Sequence, residues 1–231
     1  MPDTAPSGLA AHQLSTAQRV GIMITSWWPP LHVVMVGAVG LSPWGPWGVR
    51  LAAALAVLYL LPPLLARSIL WISPLDGPRH PVGSRGYMTW WLLLTLQTVF
   101  CRFPALDEAL RMVPALYSAW LRLWGSRVGR LTYWAPGLQV YDRSFLEVGD
   151  DVIFGAGVVL SSHLVMREKD QSMDLVVAPI RIGHRALIGG FSAIAGGTRV
   201  ASDEAPRAFS HFPPFTDWKD GKRNRKGESK E

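Results

Sequence analysis

The rhythm of apolar positions changes twice along the chain. Residues 20–41 carry no Asp, Glu, Lys or Arg, and a run of that length matches the roughly 20 residues that span a hydrocarbon core. A second run, "LAAALAVLYLLPPLLA", lies between Arg50 and Arg67. Its seven Leu favour insertion by about 0.5 kcal/mol each. The second span is expected to extend toward Trp47 and Ile72, with both arginines snorkelling, and Pro29-Pro30 and Pro62-Pro63 to kink both helices. The pattern predicts a transmembrane helical hairpin over 20–72 after a polar leader, 1–19. A signal peptide fits poorly, because the leader is long and a second apolar run follows.

From 73 to 127 the period is helical and the apolar runs are shorter. Residues 88–100 are too few to cross comfortably. In 104–124, Leu106, Leu110, Val113, Tyr117, Trp120 and Leu121 recur at helical spacing with Glu108, Arg111 and Arg122 between them. The expectation is of interfacial, connecting helices; ordinary packing helices are the alternative. Eleven Trp, most of them before residue 135, suit a membrane boundary or a core. Arg67, Arg79, Arg85, Arg102 and Arg111 follow the second span, whereas the connector "SPWGPWG" is uncharged. The positive-inside rule then puts both termini on the cytoplasmic side of a multi-pass protein, as in a bacterial-type inner membrane.

After Arg130 the period becomes six. Ile182-Gly183, Ile188-Gly189, Ile194-Ala195 and Val200-Ala201 recur at six-residue steps, as do Val148-Gly149, Phe154-Gly155 and Leu160-Ser161; Val128, Trp134 and Val140 form a weaker earlier set. A fixed six-residue period predicts a parallel β-helix over 128–205, three hexads to a coil. Each aliphatic residue stacks on its counterpart one coil away, and the small neighbour lets the chain turn. With a two-residue bulge at Leu146-Glu147, Leu160 stacks on Val140, Ser162 on Asp142 and His163 on Arg143. Residues 166–181 leave the coil as a polar loop before Ile182 resumes on Val148.

These motifs resemble those of the hexapeptide-repeat acyltransferases, whose fold is a left-handed parallel β-helix. The layout of two membrane spans, an interfacial segment and a short β-helix is also similar to that of the membrane condensation units of poly-amino-acid synthetases. The resemblance implies a thioester donor (acyl-CoA or an acyl-carrier protein), homotrimers, no bound cofactor, and a coil-edge histidine beside an extended loop as general base. His163 is the position that matches.

Acyl transfer needs a base for the attacking hydroxyl or amine and a donor to the developing oxyanion. His163 suits the first task. Asp142, one coil below, either holds the imidazole tautomer or bonds to its own turn. A backbone N–H near Gly196-Gly197 is the candidate oxyanion donor. Arg167 and Lys169 sit among balanced loop charges and either are solvated or meet a donor phosphate. His184 reads as a solvated outward position, and two coil histidines are too few for a three-His metal site, so no metal is expected. Ser161 and Ser162 lack a nucleophile elbow. The lone Cys101 cannot form an intrachain disulfide. The net charge of +6 comes without a nucleic-acid motif, which leaves anionic lipid or a phosphate-bearing donor as its partner. Residues 206–231, Pro-rich and then basic, are expected to be a disordered tail, solvated or touching lipid. The leading expectation is a membrane-bound acyltransferase acting on a lipid-linked or membrane-embedded acceptor. The alternatives are a peptide-bond-forming condensation unit using a carrier-bound aminoacyl thioester, and a non-catalytic membrane scaffold.

Overall fold

The structure, a computed structural model, describes residues 14–167 and 173–225. Helix α1 (Thr16–Thr25) starts inside the segment read as a leader, because Ser15 and Gln18 form a reciprocal capping box. It is followed by α2 (Trp28–Leu41), α3 (Trp47–Tyr59) and α4 (Leu61–Ile72). The chain breaks where expected: each proline pair sits in the first turn of the new helix, α2 or α4, where a missing N–H costs no intrahelical bond. The runs Thr16–Leu41 and Trp47–Ile72 are each 26 residues, long and apolar enough to cross a membrane by length and composition. Trp27, Val34, Leu41, Trp47 and Trp71 are among their exposed side chains.

Helices α5 (Arg85–Arg102), α6 (Ala105–Arg111) and α7 (Leu116–Leu123) pack on the β-helix with one face, while Phe103, Met112, Val113 and Leu116 remain exposed. Their apolar stripes cover the open base of the β-helix, and Leu93, Phe100, Trp120, Leu121 and Trp124 join Val128, Trp134 and Phe154 in one core. Trp120 donates Nε1–H to Tyr59 O at 2.7 Å and Trp134 donates to Ser118 Oγ at 2.9 Å. Buried Trp rings commonly find such partners for their N–H groups.

A short strand β1 (Arg79–Pro81) precedes α5; every other strand follows α7. The first coil is β2 (Arg127–Val128), β3 (Tyr133–Trp134) and β4 (Gln139–Val140). The second is β5 (Leu146–Val148), β6 (Ile153–Phe154) and β7 (Val159–Ser161). After an antiparallel hairpin, β8 (His163–Arg167) and β9 (Met173–Val177), the third coil is β10 (Ile180–Ile182), β11 (Leu187–Ile188) and β12 (Ala193–Ala195). Then come β13 (Arg199–Val200), β14 (His211–Phe212), β15 (Thr216–Lys219) and β16 (Lys222–Arg225). Strands pair in parallel within three faces, β15-β13-β10-β5-β2, β11-β6-β3 and β14-β12-β7-β4, with β16 antiparallel on the end of the first. Val128, Val148, Ile182 and Val200 are stacked in register, as are Val140, Leu160, Ile194 and Phe212.

Three expectations are corrected. First, the extra residues are not a bulge at Leu146-Glu147: Leu146 pairs with Ile180 and Glu147 with Arg127. The rung spacing is 20 residues from Val128 to Val148 and 18 from Ile182 to Val200, and the surplus lies in the corner 142–145, where Phe145 N donates to Asp142 O. Second, the excursion at 166–181 is not a loop throughout, since β9 pairs with both β8 and β1 in a three-stranded antiparallel sheet. Third, the coil does not stop at 205. Phe212 stacks on Ile194, Trp218 stacks on Val200, and Trp218 donates to Glu204 at 2.9 Å; β16 then pairs antiparallel with β15, so regular structure runs up to 225. The rest of the basic tail, with Lys226 and Lys230, lies outside the described residues.

Candidate active site

Two elements meet at His163. It is the first residue of β8, where the chain leaves the third face of the prism, and it sits one coil above the lengthened corner that carries Asp142. The Asp142 side chain turns upward, 1 % exposed. Its Oδ2 accepts the backbone N–H of Ser162 at 2.8 Å and of His163 at 3.1 Å. The same oxygen lies 2.7 Å from His163 Nδ1, and Oδ1 accepts the Trp90 Nε1–H at 3.4 Å. An ionised carboxylate can only accept, so in the neutral imidazole tautomer that this contact favours, the proton is on Nδ1 and the lone pair on Nε2. Of the two roles open to Asp142, the geometry takes the imidazole partner, because the corner directs the carboxylate away from its own turn.

Trp90 was not visible as a site residue. The spacing of 88–100 marks an apolar helix but not which face meets the β-helix. On α5 it is buried, with its ring 4.9 Å from that of His163 at an interplanar angle of 54°. The His163 side chain remains 22 % exposed.

The neighbouring hydroxyls are occupied. Ser161 Oγ donates to His163 O at 3.0 Å and Ser162 Oγ to Phe145 O at 3.2 Å, an arrangement that holds the strand exit. Gly196 lies above Ser162 so closely that a Cβ would come 2.3 Å from Ser162 O. Gly197, at φ +79, donates its N–H to Ala178 O at 3.2 Å, which corrects its assignment as an oxyanion donor: that hydrogen is spent closing the coil. Arg167 is at the far end of β8 from His163, and Lys169 lies outside the described residues.

Arg143 departs from the outward position that stacking under His163 suggests. It turns inward, 1 % exposed, and donates from Nη2 to Asp107 Oδ2 at 2.8 Å. Burial, the largest single influence, would lower its pKa, but the Asp107 carboxylate together with Cys101 and Tyr117 outweighs that and holds the guanidinium firmly charged. Burial, helped by Asp107, pushes the nearby Tyr117 phenol up.

His184 is elsewhere, on a different corner, where its Nδ1 accepts the Asp150 N–H at 3.0 Å. Among the described residues no group of three or more His, Cys, Asp and Glu side chains is arranged to hold a metal ion. A cleft of about 890 Å³ between α7 and the first coil, lined by residues such as Tyr117, Arg122 and Tyr133, includes none of the residues around His163.

No protein-family model matches the chain, and no curated protein matches it in sequence. Among solved structures it is similar to a hexapeptide-repeat-containing acetyltransferase from Vibrio cholerae, at 15 % identity and a TM-score of 0.35 over 52 % of this chain and 88 % of that one. The same Vibrio cholerae protein in complex with acetyl coenzyme A aligns at a TM-score of 0.37 and 15 % identity, over 53 % and 82 % of the two chains. A maltose O-acetyltransferase from Clostridium difficile is 17 % identical, with a TM-score of 0.35 over 54 % of this chain and 82 % of that one.

Proposed function

We propose that this protein is a membrane-bound acyltransferase that moves an acyl group from a thioester, acyl-CoA or an acyl-carrier protein, to a hydroxyl or amine of a lipid-linked acceptor. The observation that carries the reading is the Asp142–His163 pair: a buried carboxylate fixes Nδ1–H and leaves Nε2 as a base at the edge of a parallel coil. In the proposed step, Nε2 takes the acceptor's proton as its oxygen or nitrogen attacks the thioester carbonyl. The tetrahedral oxyanion then collapses, the C–S bond breaks, and the imidazolium returns the proton to the leaving thiolate. With the Gly197 N–H engaged, the Gly196 N–H is the proposed oxyanion donor.

The two 26-residue apolar runs, Thr16–Leu41 and Trp47–Ile72, support an acceptor that resides in the bilayer. A soluble acceptor would gain little from them. The β-helix and both termini are assigned to the cytoplasmic side, where thioester donors are made, and the trimer implied by the family resemblance would build the donor groove between neighbouring prisms. Mass spectrometry of lipid extracts from cells with and without the protein tests this. A lipid species heavier by one acyl group only when the protein is present supports the reading, and identical lipid profiles contradict it.

A further inference from the structure

We propose that Arg143 is a positioning residue for the Asp142–His163 pair, tying the reactive corner to the helical layer below it; this rests on the reading of that pair as the catalytic one. Every polar handle of the residue except Nε has a partner. Its N–H donates to Gln97 Oε1 at 3.1 Å, and its carbonyl accepts the Ser126 hydroxyl at 2.7 Å. Its Nη1 donates to Gln97 Oε1 at 3.3 Å and to Cys101 Sγ at 3.4 Å, and its Nη2 to Asp107. The guanidinium also lies 5.5 Å from the ring centroids of both Phe100 and Trp120. One residue is thus held by α5, α6 and the segment entering β2 at once.

Stability alone is a poor account of this arrangement. A buried ion pair loses so much hydration that apolar side chains of the same volume often do as well or better. What the cluster supplies is geometry. The corner is longer than an 18-residue coil requires, and a lengthened turn has more ways to sit. With Arg143 anchored inward, the preceding peptide is fixed and Asp142 is aimed at Ser162 and His163. Released, a corner aspartate has the ordinary option of bonding its own turn, and His163 loses the acceptor that selects its tautomer. A displacement of about 1 Å at a reacting group costs on the order of 10²-fold in rate.

The test reads the tautomer of His163 by nitrogen NMR of the full-length protein in detergent, with ¹⁵N-labelled histidine and His163→Ala to identify the signal. The wild type is expected to be protonated on Nδ1, and Asp142→Asn marks the signature of its loss. Arg143→Met, close in volume, is expected to shift His163 toward that signature while the protein stays folded, with transfer slowed roughly 10²-fold. Arg143→Lys, which keeps a cation for Asp107, is expected to retain the wild-type tautomer. A folded Arg143→Met protein with an unchanged tautomer overturns the proposal. Should that variant fail to fold, Gln97→Leu decides by the same signal, because it frees the corner N–H but leaves the Arg143–Asp107 pair. The tautomer is read without turnover, so absence of acyl transfer would refute the functional reading and not this one.

Discussion

Four donors converge on the Asp142 carboxylate, from Ser162, two positions of His163, and Trp90, and they satisfy an acidic side chain that is buried beside aromatic rings. A buried imidazole lies in the neighbouring sheet. His80, on β1, is packed against Gly86, and its Nε2 has no hydrogen-bond partner. Burial lowers its pKa below the usual imidazole value of 6.5, and the Gly77 carbonyl and Asp76 only partly offset this. A depressed folded pKa means that the unfolded chain binds the proton more readily. The stability linked to His80 is therefore complete above pH 6.5 and declines as the pH falls below it. Melting temperatures measured across that range should drop on the acid side in the wild type, and the drop should shrink in His80→Leu; an equal slope in both proteins would assign the effect to other groups.

At the level of elements, the β-helix stands on interior stacks of which Trp134 on Phe154 is the tightest, 4.7 Å between centroids and 10° from parallel. Phe154→Ala should cost about 3–5 kcal/mol, read as a lowered denaturant midpoint, because adjacent coils cannot close around the void. The six-residue period made this part of the fold legible: aliphatic residues that recur every six positions have few other ways to be buried together, and the rungs Val128–Val148–Ile182 follow directly. His163 and Asp142 were legible for the same reason, since register puts them on one corner of adjacent coils, with Asp142 below Ser162 and Arg143 below His163. Other features were not. The inward turn of Arg143 depends on acceptors from α5 and α6, far away in sequence, and periodicity says nothing of them. Trp90 belonged to a helix whose partner face a sequence leaves open. The strands β8 and β9 were hidden because charged residues such as Glu168 and Asp170 separate them and suggest a loop, whereas backbone pairing between them needs no apolar period.

For the molecule as a whole, the helical runs and the coil are joined by α5–α7, so the orientation of the hairpin fixes on which side of the membrane the coil lies. By the positive-inside rule, the arginines after the second run support the proposal that this side is the cytoplasmic one. A reporter inserted at Gly45 should be accessible from outside and one fused after residue 231 only from inside; a cytoplasmic Gly45 would remove the hairpin topology. Mass measurement in detergent should give a trimer, and a strict monomer at micromolar concentration would count against a donor groove between subunits. Acyl transfer should be measured with His163→Ala and, as its matched control, His184→Ala, an outward histidine on another corner of the same β-helix. The first is predicted to lose about 10²- to 10⁴-fold in rate while remaining folded in the membrane, and the second to keep most of its activity; equal activity in the two variants would contradict the assignment of His163.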